Sequence, residues 1–468
     1  MTADASPSPQ NSPQGVEFDP SLDHHARPKI RPVQGVPMKH QDQQVIGLRD
    51  PSQVSRDMIV TSPLAQFILP LMDGNQTVQQ ITEGAIARAK ASNVPEQAVN
   101  AITQEPIQQL VGQLDGAGLL EGPRFDALID KLQTEFDSNV NLPPSVSADF
   151  ADALVMQDKG KEASDEDKAK LGPDKLRETF DAWIKAALDK APDPSFDDLP
   201  QAVFVPDVDY PRGWVNYAHA YGRMRVCDRP DRVVILGVNH FGRSKGVALC
   251  DKGFESPLGV CNFDKALWDA LSGALGKDDT AKGLEHRLDH EREHSIEWHI
   301  PWVNHVFGEQ SGKSPTVFAA LIHDPLRNSG QSYDGSGLDL EPFCKALGSA
   351  IDAVGGKTLI ICSGSLSHIG PMFGDQHQVS GEGAEATNAR NRMIEHDQAM
   401  LNIINQGKAE DLLTSMQWQQ NPTRWSGLGP IVATLKVTGA ANARTLNYAA
   451  AGDQQGMSMV SSFAGAIV

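Results

Sequence analysis

The sequence predicts an α/β protein: a mostly parallel sheet flanked by helices, preceded by a small winged-helix-like α+β domain. Beyond residue 173, short apolar runs that end in Gly or Pro alternate with longer amphipathic runs. This alternation is typical of buried parallel strands covered by helices on both faces. The predicted strands are Ala202 to Val205, Arg232 to Leu236, Thr316 to Ile322, Lys357 to Cys362 and Thr445 to Ala449. The predicted helices are Pro173 to Leu188, Tyr217 to Arg225, Asp264 to Leu275, Glu341 to Val354 and Ala384 to Asn405.

Composition divides the chain into four parts. Residues 1–28 are rich in Ser, Pro and Gln and are predicted to be a disordered tail. Residues 29–122 are predicted to form a compact small domain, and residues 173–468 the α/β domain. Residues 123–172 between them are expected to be a linker or insertion, because residues 157–170 are dense in Asp, Glu and Lys.

The small domain is predicted from a possible hairpin around Gly47 to Val60 followed by three short helices. Ser62-Pro63 opens the first helix, Thr77 caps the second, and Pro95 starts a third that ends near Gly118. Arg88 and Lys90 are the only basic residues between Ser62 and Gly122. A helix that enters a DNA groove needs more positive charge, so peptide docking or packing fits this domain better.

Charge and cysteine content limit the class of protein. The formal net charge is −19 and the pI is near 5.1, which argues against nucleic acid and anionic membranes as partners. No apolar run is long enough to span a bilayer, and the N-terminus has no signal-peptide pattern, so a cytoplasmic location is expected. The five cysteines form no C-x-x-C pair and are expected to be reduced and mostly buried.

Potential metal ligands follow three of the predicted strands. Asp207 and His240 each follow a strand end, and His368 ends the run that begins at Thr358. The carboxyl ends of strands in open α/β sheets carry the binding sites. Two imidazoles and a carboxylate are the composition of a non-haem iron or zinc site with open positions. Alternatively, each residue caps a strand end or binds backbone.

A second histidine-rich segment runs from Glu291 to Trp302. His294 and His299 are five residues apart, so the segment is not the H-E-x-x-H zinc helix. His294 and Glu297 are three apart and share a helix face, which makes a hydrogen-bonded pair near the cleft possible.

These motifs together resemble the Memo family, also called AmmeMemoRadiSam system protein B, over about residues 200–468. The matching strings are Pro206-Asp207-Val208-Asp209-Tyr210, Ile235-Leu236-Gly237-Val238-Asn239-His240, Glu293-His294-Ser295-Ile296-Glu297-Trp298-His299-Ile300-Pro301, Ser367-His368-Ile369-Gly370 and Gly427-Leu428-Gly429-Pro430-Ile431. The resemblance implies a fold like that of class III extradiol ring-cleavage dioxygenases. It also implies a divalent metal (iron, copper or zinc) at Asp207, His240 and Ser426, with His368 and His294 beside it as candidate catalytic residues.

Three positions depart from the family pattern. Asp207 stands where the family usually has histidine, Ser426 where it has cysteine, and Ser365 where it has aspartate. Aspartate can still coordinate a divalent ion, whereas a neutral serine hydroxyl is a poor ligand compared with a thiolate. The metal pocket is therefore expected to be harder in character, or empty.

Residues Val33 to Gly122 resemble PqqD-type peptide-recognition domains, through Gly47-Leu48-Arg49-Asp50-Pro51, Leu71-Met72-Asp73-Gly74 and Leu119-Leu120. This resemblance implies an extended peptide bound by strand addition and a radical-SAM partner that modifies a peptide or protein. Two other hypotheses stay open: a ring-cleaving dioxygenase, which the loss of a histidine ligand disfavours, and a non-catalytic scaffold with a degenerate pocket.

Overall fold

The computed structural model describes residues 16–40, 43–52, 54–160, 163–308, 313–328, 330–439 and 442–468. The chain divides into two compact units, Met1–Ser138 and Asn139–Val468. The boundary falls inside the segment 123–172 that the sequence predicts to be a linker or insertion.

The first unit contains a three-stranded antiparallel sheet and a set of helices. Its strands, in the spatial order β1-β2-β3, are β1 (Gln34–His40), β2 (Gln43–Arg49) and β3 (Met58–Thr61). Its helices are α1 (Asp23–Ala26), α2 (Ala65–Ile68), α3 (Val78–Ala91), α4 (Glu96–Val99), α5 (Gln104–Gly116) and α6 (Pro123–Ser138), with a 3-10 turn at Leu69–Leu71.

Several local predictions for this unit are confirmed. Gly47 lies opposite Val60 across the β2–β3 pair, as the hairpin prediction requires. Thr77 caps α3 in a reciprocal arrangement with Gln80.

The prediction of a single helix from Pro95 to Gly118 is wrong. The chain forms two helices there, α4 and α5, and the first turn of α5 contains Pro106. Proline is tolerated in a first turn but would break a continuous helix. The winged-helix comparison stays a prediction.

The disordered tail is wrong for part of its length. Residues 1–15 lie outside the described residues, but α1 lies within residues 16–28. His25 on α1 is fully buried and hydrogen-bonds to Asp115 of α5. A contact between an imidazole and a carboxylate 90 residues apart holds this segment in place. The composition of the segment itself therefore does not predict that it is ordered.

The second unit contains the remaining elements. Its strands are β4 (Asn141–Leu142), β5 (Ala202–Val205), β6 (Arg232–Val238), β7 (Ala248–Leu249), β8 (Gly253–Ser256), β9 (Gly259–Cys261), β10 (Thr316–Ile322), β11 (Thr358–Ser363), β12 (His368–Ile369), β13 (Arg444–Gly452) and β14 (Met459–Ile467). Its helices are α7 (Val146–Lys159), α8 (Asp165–Leu188), α9 (Tyr210–Arg223), α10 (Lys265–Leu284, broken at Gly276), α11 (His294–Glu297), α12 (His299–Val303), α13 (Leu340–Val354), α14 (Ala384–Asn405), α15 (Ala409–Gln419) and α16 (Leu428–Thr438).

The main sheet is mixed, which corrects the mostly parallel prediction. Its order is β12-β14-β5-β11-β6-β10-β7, with β13 on the other side of β14. The central strands β5, β11, β6 and β10 are parallel, whereas β7, β12, β13 and β14 pair antiparallel. A short turn, Asp453–Ser458, joins β13 to β14 and permits only antiparallel pairing. β14 is rich in Ala, Gly and Ser, so its sequence carries a weak strand signal.

The segment 123–172 is largely helical rather than an extended linker. It contains α6, α7 and the start of α8, and Leu142 in β4 pairs with Phe254 in β8. Helix α8 begins at Asp165, earlier than the expected start at Pro173, because Ser164 caps it. The dense charges in this stretch therefore lie on exposed helix faces. Composition alone does not separate such a face from a loop.

In the main sheet, β5 and β6 are buried along their whole length, and β10 and β11 are buried at every residue after the first. All five cysteines are free and buried, as predicted. Among the described residues, no helix is both long and apolar enough to cross a membrane.

Candidate functional site

The predicted site residues follow neighbouring parallel strands. Asp207 follows β5, Ser365 follows β11 and His240 follows β6, and β11 lies between the other two strands. Parallel strands end at the same edge of a sheet, so the three side chains are delivered to one place. The sequence prediction that Asp207 and His240 converge at this edge is confirmed.

Asp207 and His240 are in direct contact. Asp207 is 2% exposed, and its Oδ2 lies 3.3 Å from Nε2 of His240. Oδ1 accepts a short hydrogen bond from the hydroxyl of Ser365. Within the described part of the chain, Oδ2 accepts no hydrogen bond. Ser365 therefore fixes one carboxylate oxygen, while the other faces the imidazole of His240.

Glu293 holds His240 from the opposite side. Its Oε1 lies 3.0 Å from Nδ1 of His240 and accepts the backbone N–H of Ser295, and its Oε2 accepts the backbone N–H of His240 at 2.9 Å. Nδ1 of His240 is thus the donor toward Glu293, and Nε2 faces Asp207. A carboxylate on the far nitrogen is the usual support of a metal-binding histidine.

The charges in this cluster shift both pKa values strongly. Burial alone would lower the pKa of His240, but Glu293 and then Asp207 outweigh it and raise that pKa to about 9. Burial would raise the pKa of Glu293, but His240 and His294 hold it at about 2. Near neutral pH, His240 is therefore protonated and Glu293 is ionised.

His294 lies beside this pair. Its ring stacks on His240 with centroids 4.6 Å apart, and its Nδ1 is 3.3 Å from Oε1 of Glu293. Burial lowers the pKa of His294. The expected His294–Glu297 pair is wrong, because Glu297 instead accepts the backbone N–H groups at the start of α7, including that of Ser147 at 2.8 Å.

His368 is fixed in one tautomer. Its Nδ1 lies 3.0 Å from the carbonyl oxygen of Leu366 and 3.1 Å from that of Arg424. Both partners only accept, so Nδ1 carries the proton and Nε2 has a free lone pair. Burial lowers the pKa of His368; the charge of Asp207 raises this pKa, and the charge of His240 lowers it. The neutral ring is therefore a possible ligand or proton acceptor.

The other polar residues expected near the metal pocket make contacts elsewhere in the structure. The hydroxyl of Ser426 donates to the carbonyl oxygen of Ser365 at 3.4 Å. Asp209, the other carboxylate of the string that contains Asp207, caps α9 and pairs with Arg212 at 2.6 Å. The second carboxylate at the pocket is Glu293, which sequence reasoning missed. Its only signal was its position next to His294 in the matched string.

The donor set fits a divalent metal ion. A metal bound at about 2.0–2.2 Å to a histidine nitrogen and a carboxylate oxygen holds those two atoms about 3.0–3.4 Å apart. The 3.3 Å between Nε2 of His240 and Oδ2 of Asp207 lies in that range. Two imidazoles and a carboxylate are the set typical of non-haem iron and related sites. Asp207 and His240 supply the carboxylate and one imidazole, but among the described residues His368 does not form a three-ligand group with them.

The fold and the site define a class: a mixed α/β protein with a histidine–carboxylate pocket at the carboxyl edge of its parallel strands. The family model described as Memo-like protein matches residues 171–467, and the chain belongs to the Memo family.

Curated relatives agree with this assignment. A MEMO1 family protein of Methanothermobacter thermautotrophicus is 28% identical over 263 residues, which cover 55% of this chain and 79% of the relative. One of Methanopyrus kandleri is 27% identical over 61% of this chain and 89% of the relative. One of Aquifex aeolicus is 23% identical over 382 residues, 81% of this chain and 83% of the relative.

Proposed function

We propose that this Memo-family protein binds one divalent metal ion (iron, copper or zinc) and acts on a peptide or protein with a radical-SAM partner. Asp207 and His240 would hold the ion, with Nε2 of His368 as the third protein ligand. The proposal depends most on Oδ2 of Asp207 and Nε2 of His240, which lie 3.3 Å apart and would both bind the ion once Nε2 loses its proton. Ser426, the third position implied by the resemblance, is the weaker candidate because its neutral hydroxyl binds metals poorly.

The surrounding residues would orient these ligands and handle protons. Glu293 fixes the tautomer of His240 through Nδ1. His294 is held beside His240 and has a depressed pKa, so it would accept a proton from a bound substrate. Where His368 is not a ligand, its Nε2 would serve the same purpose. A bound divalent ion would supply Lewis-acid polarisation of a substrate oxygen or water.

The proposed peptide partner concerns the first unit. Strands β1 and β3 are the two edges of its sheet, and an extended peptide can add to such an edge through backbone hydrogen bonds. A radical-SAM enzyme that co-purifies with the full chain in stoichiometric amount would support the partnership. Its absence from the purified complex, when both proteins are co-expressed, would count against it.

Metal analysis tests the pocket directly. Full-length protein purified without chelators is expected to hold close to one equivalent of metal, and Asp207→Ala and His240→Ala are each expected to lose most of it. Asp209→Ala is the matched control, since this carboxylate is two residues away and caps α9 instead. Wild-type protein without metal, or an Asp207→Ala variant that keeps it, would contradict the proposal.

A non-catalytic scaffold is the second candidate, and one observation favours it. The protonated His240 already balances one of its two neighbouring carboxylates, and Ser365 occupies Oδ1 of Asp207, so much of the cluster is satisfied without an ion. The scaffold hypothesis expects Asp207→Ala to leave partner binding intact. A partner complex that forms equally well with metal-depleted protein would favour it.

A further inference from the structure

A separate cavity of about 730 Å³ lies beside β12, between α14 and the segment that follows α15. Asp207, His240, Glu293 and His294 are not among its lining residues. Its volume is in the range of pockets that enclose small organic molecules.

One wall of the cavity is apolar. Ile369, Val379 and Met393 form a small hydrophobic cluster of their own, and all three line the cavity. Met393 and Val379 are each 1% exposed. A ligand that rests on this wall would need an apolar body to gain from the contact.

The two arginines that line the cavity have different surroundings. Asp375 pairs with Arg424 at 2.6 Å, and Glu385 lies 3.0 Å from His377, which is a charged partner only when its imidazole is protonated. Arg392 on α14 also lines the cavity and has no ion pair or hydrogen bond among the described residues. An unpaired guanidinium beside an apolar wall is suited to an anionic group.

A half-buried imidazole adds a polar position on the same helix as this cation. Nε2 of His396 is itself buried and makes no hydrogen bond of standard geometry among the described residues, although Gln419, which also lines the cavity, acts on the pKa of this ring. Burial lowers the pKa of His396, so the ring is neutral near pH 7 and can exchange a hydrogen bond with a ligand oxygen. An unmet buried polar atom is costly unless a ligand or water satisfies it.

We propose that this cavity binds a small organic monoanion, a carboxylate attached to an apolar body. The carboxylate would face Arg392 and Nε2 of His396, and the body would pack on Met393 and its two apolar neighbours. The chain has a net charge of −19, so its overall field repels anions. An anion would therefore bind at this site through the local positive charge of Arg392.

Two probes of matched shape test the proposal: 4-phenylbutyrate and its neutral analogue 4-phenylbutanol. Ligand-detected NMR on the full-length protein is expected to show that the carboxylate binds with a Kd at or below about 1 mM. The alcohol is expected to bind about fivefold more weakly, the size of one partly exposed ion pair.

Variants locate the binding. Arg392→Gln is expected to abolish the preference for the carboxylate and leave alcohol binding unchanged. Ala389→Phe, which fills the cavity from the same helix, is expected to abolish binding of both probes. The control Arg124→Gln changes an exposed helical arginine outside the cavity and should leave both affinities as in the wild type. Circular dichroism melting confirms that each variant is folded.

Three results would overturn the proposal. They are no binding of the carboxylate up to about 5 mM, equal affinity for the two probes, or a preference for the carboxylate that survives Arg392→Gln. Metal loading does not enter these measurements, so failure here is distinct from failure of the metal pocket.

Discussion

Two clusters in this molecule have nearly the same composition but different hydrogen-bond arrangements. In the second unit, His240, Glu293 and His294 lie with their ligand atoms within 4.8 Å of one another, and in the first unit His24, His25 and Asp115 do the same. Each also includes or adjoins a buried carboxylate oxygen without a hydrogen-bond partner among the described residues, on Asp207 and on Asp115.

The difference lies in which imidazole nitrogen carries the proton. His25 accepts the backbone N–H of Asp19 on Nδ1 at 2.9 Å, so its Nε2 must donate to Asp115, 3.2 Å away. His240 donates from Nδ1 to Glu293, so that loss of one proton frees Nε2 for a ligand. The first cluster is a tie between two segments, and the second is arranged to receive an ion. Proximity of ligand atoms alone does not separate the two.

The largest expected effect is on the stability of the second unit. Glu293→Ala leaves the His240 cation and two backbone N–H groups without their acceptor, which is expected to cost about 3–5 kcal/mol. Urea unfolding followed by tryptophan fluorescence measures it, since all seven tryptophans lie in this unit. Glu341→Ala, which removes an exposed glutamate, is the control and should change stability little. A loss below about 1 kcal/mol would mean that the cluster carries little net interaction energy.

The next effect concerns the tie in the first unit. His25→Ala leaves Asp115 buried without its donor and is expected to destabilise the α1–α5 contact by about 2–3 kcal/mol. Hydrogen exchange should become faster at the amides of Asp19 and α5, with bound metal unchanged. His24→Ala, whose ring is 3.6 Å from Asp115 and partly exposed, should have a smaller effect. Loss of bound metal from the His25→Ala variant would contradict the assignment of metal binding to the second cluster alone.

The third prediction concerns His299, a buried histidine without a carboxylate partner in the described part of the chain, and the pH dependence of the unfolding free energy. Among the residues that the structure describes, the ring of His299 hydrogen-bonds to the hydroxyl of Tyr221, and burial lowers the pKa of His299 to about 3. Because the unfolded chain takes up this proton near pH 6.5, stability should fall as the pH drops below 6.5, by at most about 1.4 kcal/mol per pH unit from this group. Unfolding free energies at pH 7, 6 and 5 measure the slope. His299→Gln should flatten it, and an unchanged slope would assign the effect to other groups.

The smallest effect separates the clusters by metal affinity. Glu293→Gln keeps the shape of the side chain but weakens the orientation of His240, and is expected to lower metal affinity about tenfold. Asp115→Asn makes the equivalent change in the first unit and should leave affinity unchanged. Competition titration with a metal indicator gives both values. Equal metal affinities for Glu293→Gln and the wild type would show that Glu293 does not support metal binding by His240.

Sequence patterns predicted the central strands well because their buried apolar runs are local signals. β5 has the predicted bounds, Ala202–Val205, and β10 has the predicted bounds Thr316–Ile322. Because both residues follow strand ends, the sequence also predicted that Asp207 and His240 lie at the same edge of the sheet. β14 was missed because its Ala- and Gly-rich sequence becomes a strand only by pairing with β5 and β13.

Site geometry was less predictable. Glu297 shares a helix face with His294, which favoured a pair, yet the start of α7, about 150 residues earlier in the chain, takes this carboxylate. Glu293 adopts the pairing role because its extended backbone turns it toward His240. Periodicity describes neighbours along one element and contains no information on which distant element competes for a carboxylate.

The sequence by itself determined the central buried strands of the second unit, the strand ends followed by Asp207 and His240, and the buried free cysteines, because these depend on local apolar runs and residue chemistry. The strand that begins at Thr358 ends at Ser363, so the prediction that His368 ends it is wrong. Only the tertiary structure decided which nitrogen of each histidine is free, which carboxylate supports His240, and that His25 orders the N-terminal segment. Those outcomes depend on hydrogen bonds between segments far apart in the chain: His25 and Asp115 are 90 residues apart, and His240 and Glu293 are 53 residues apart.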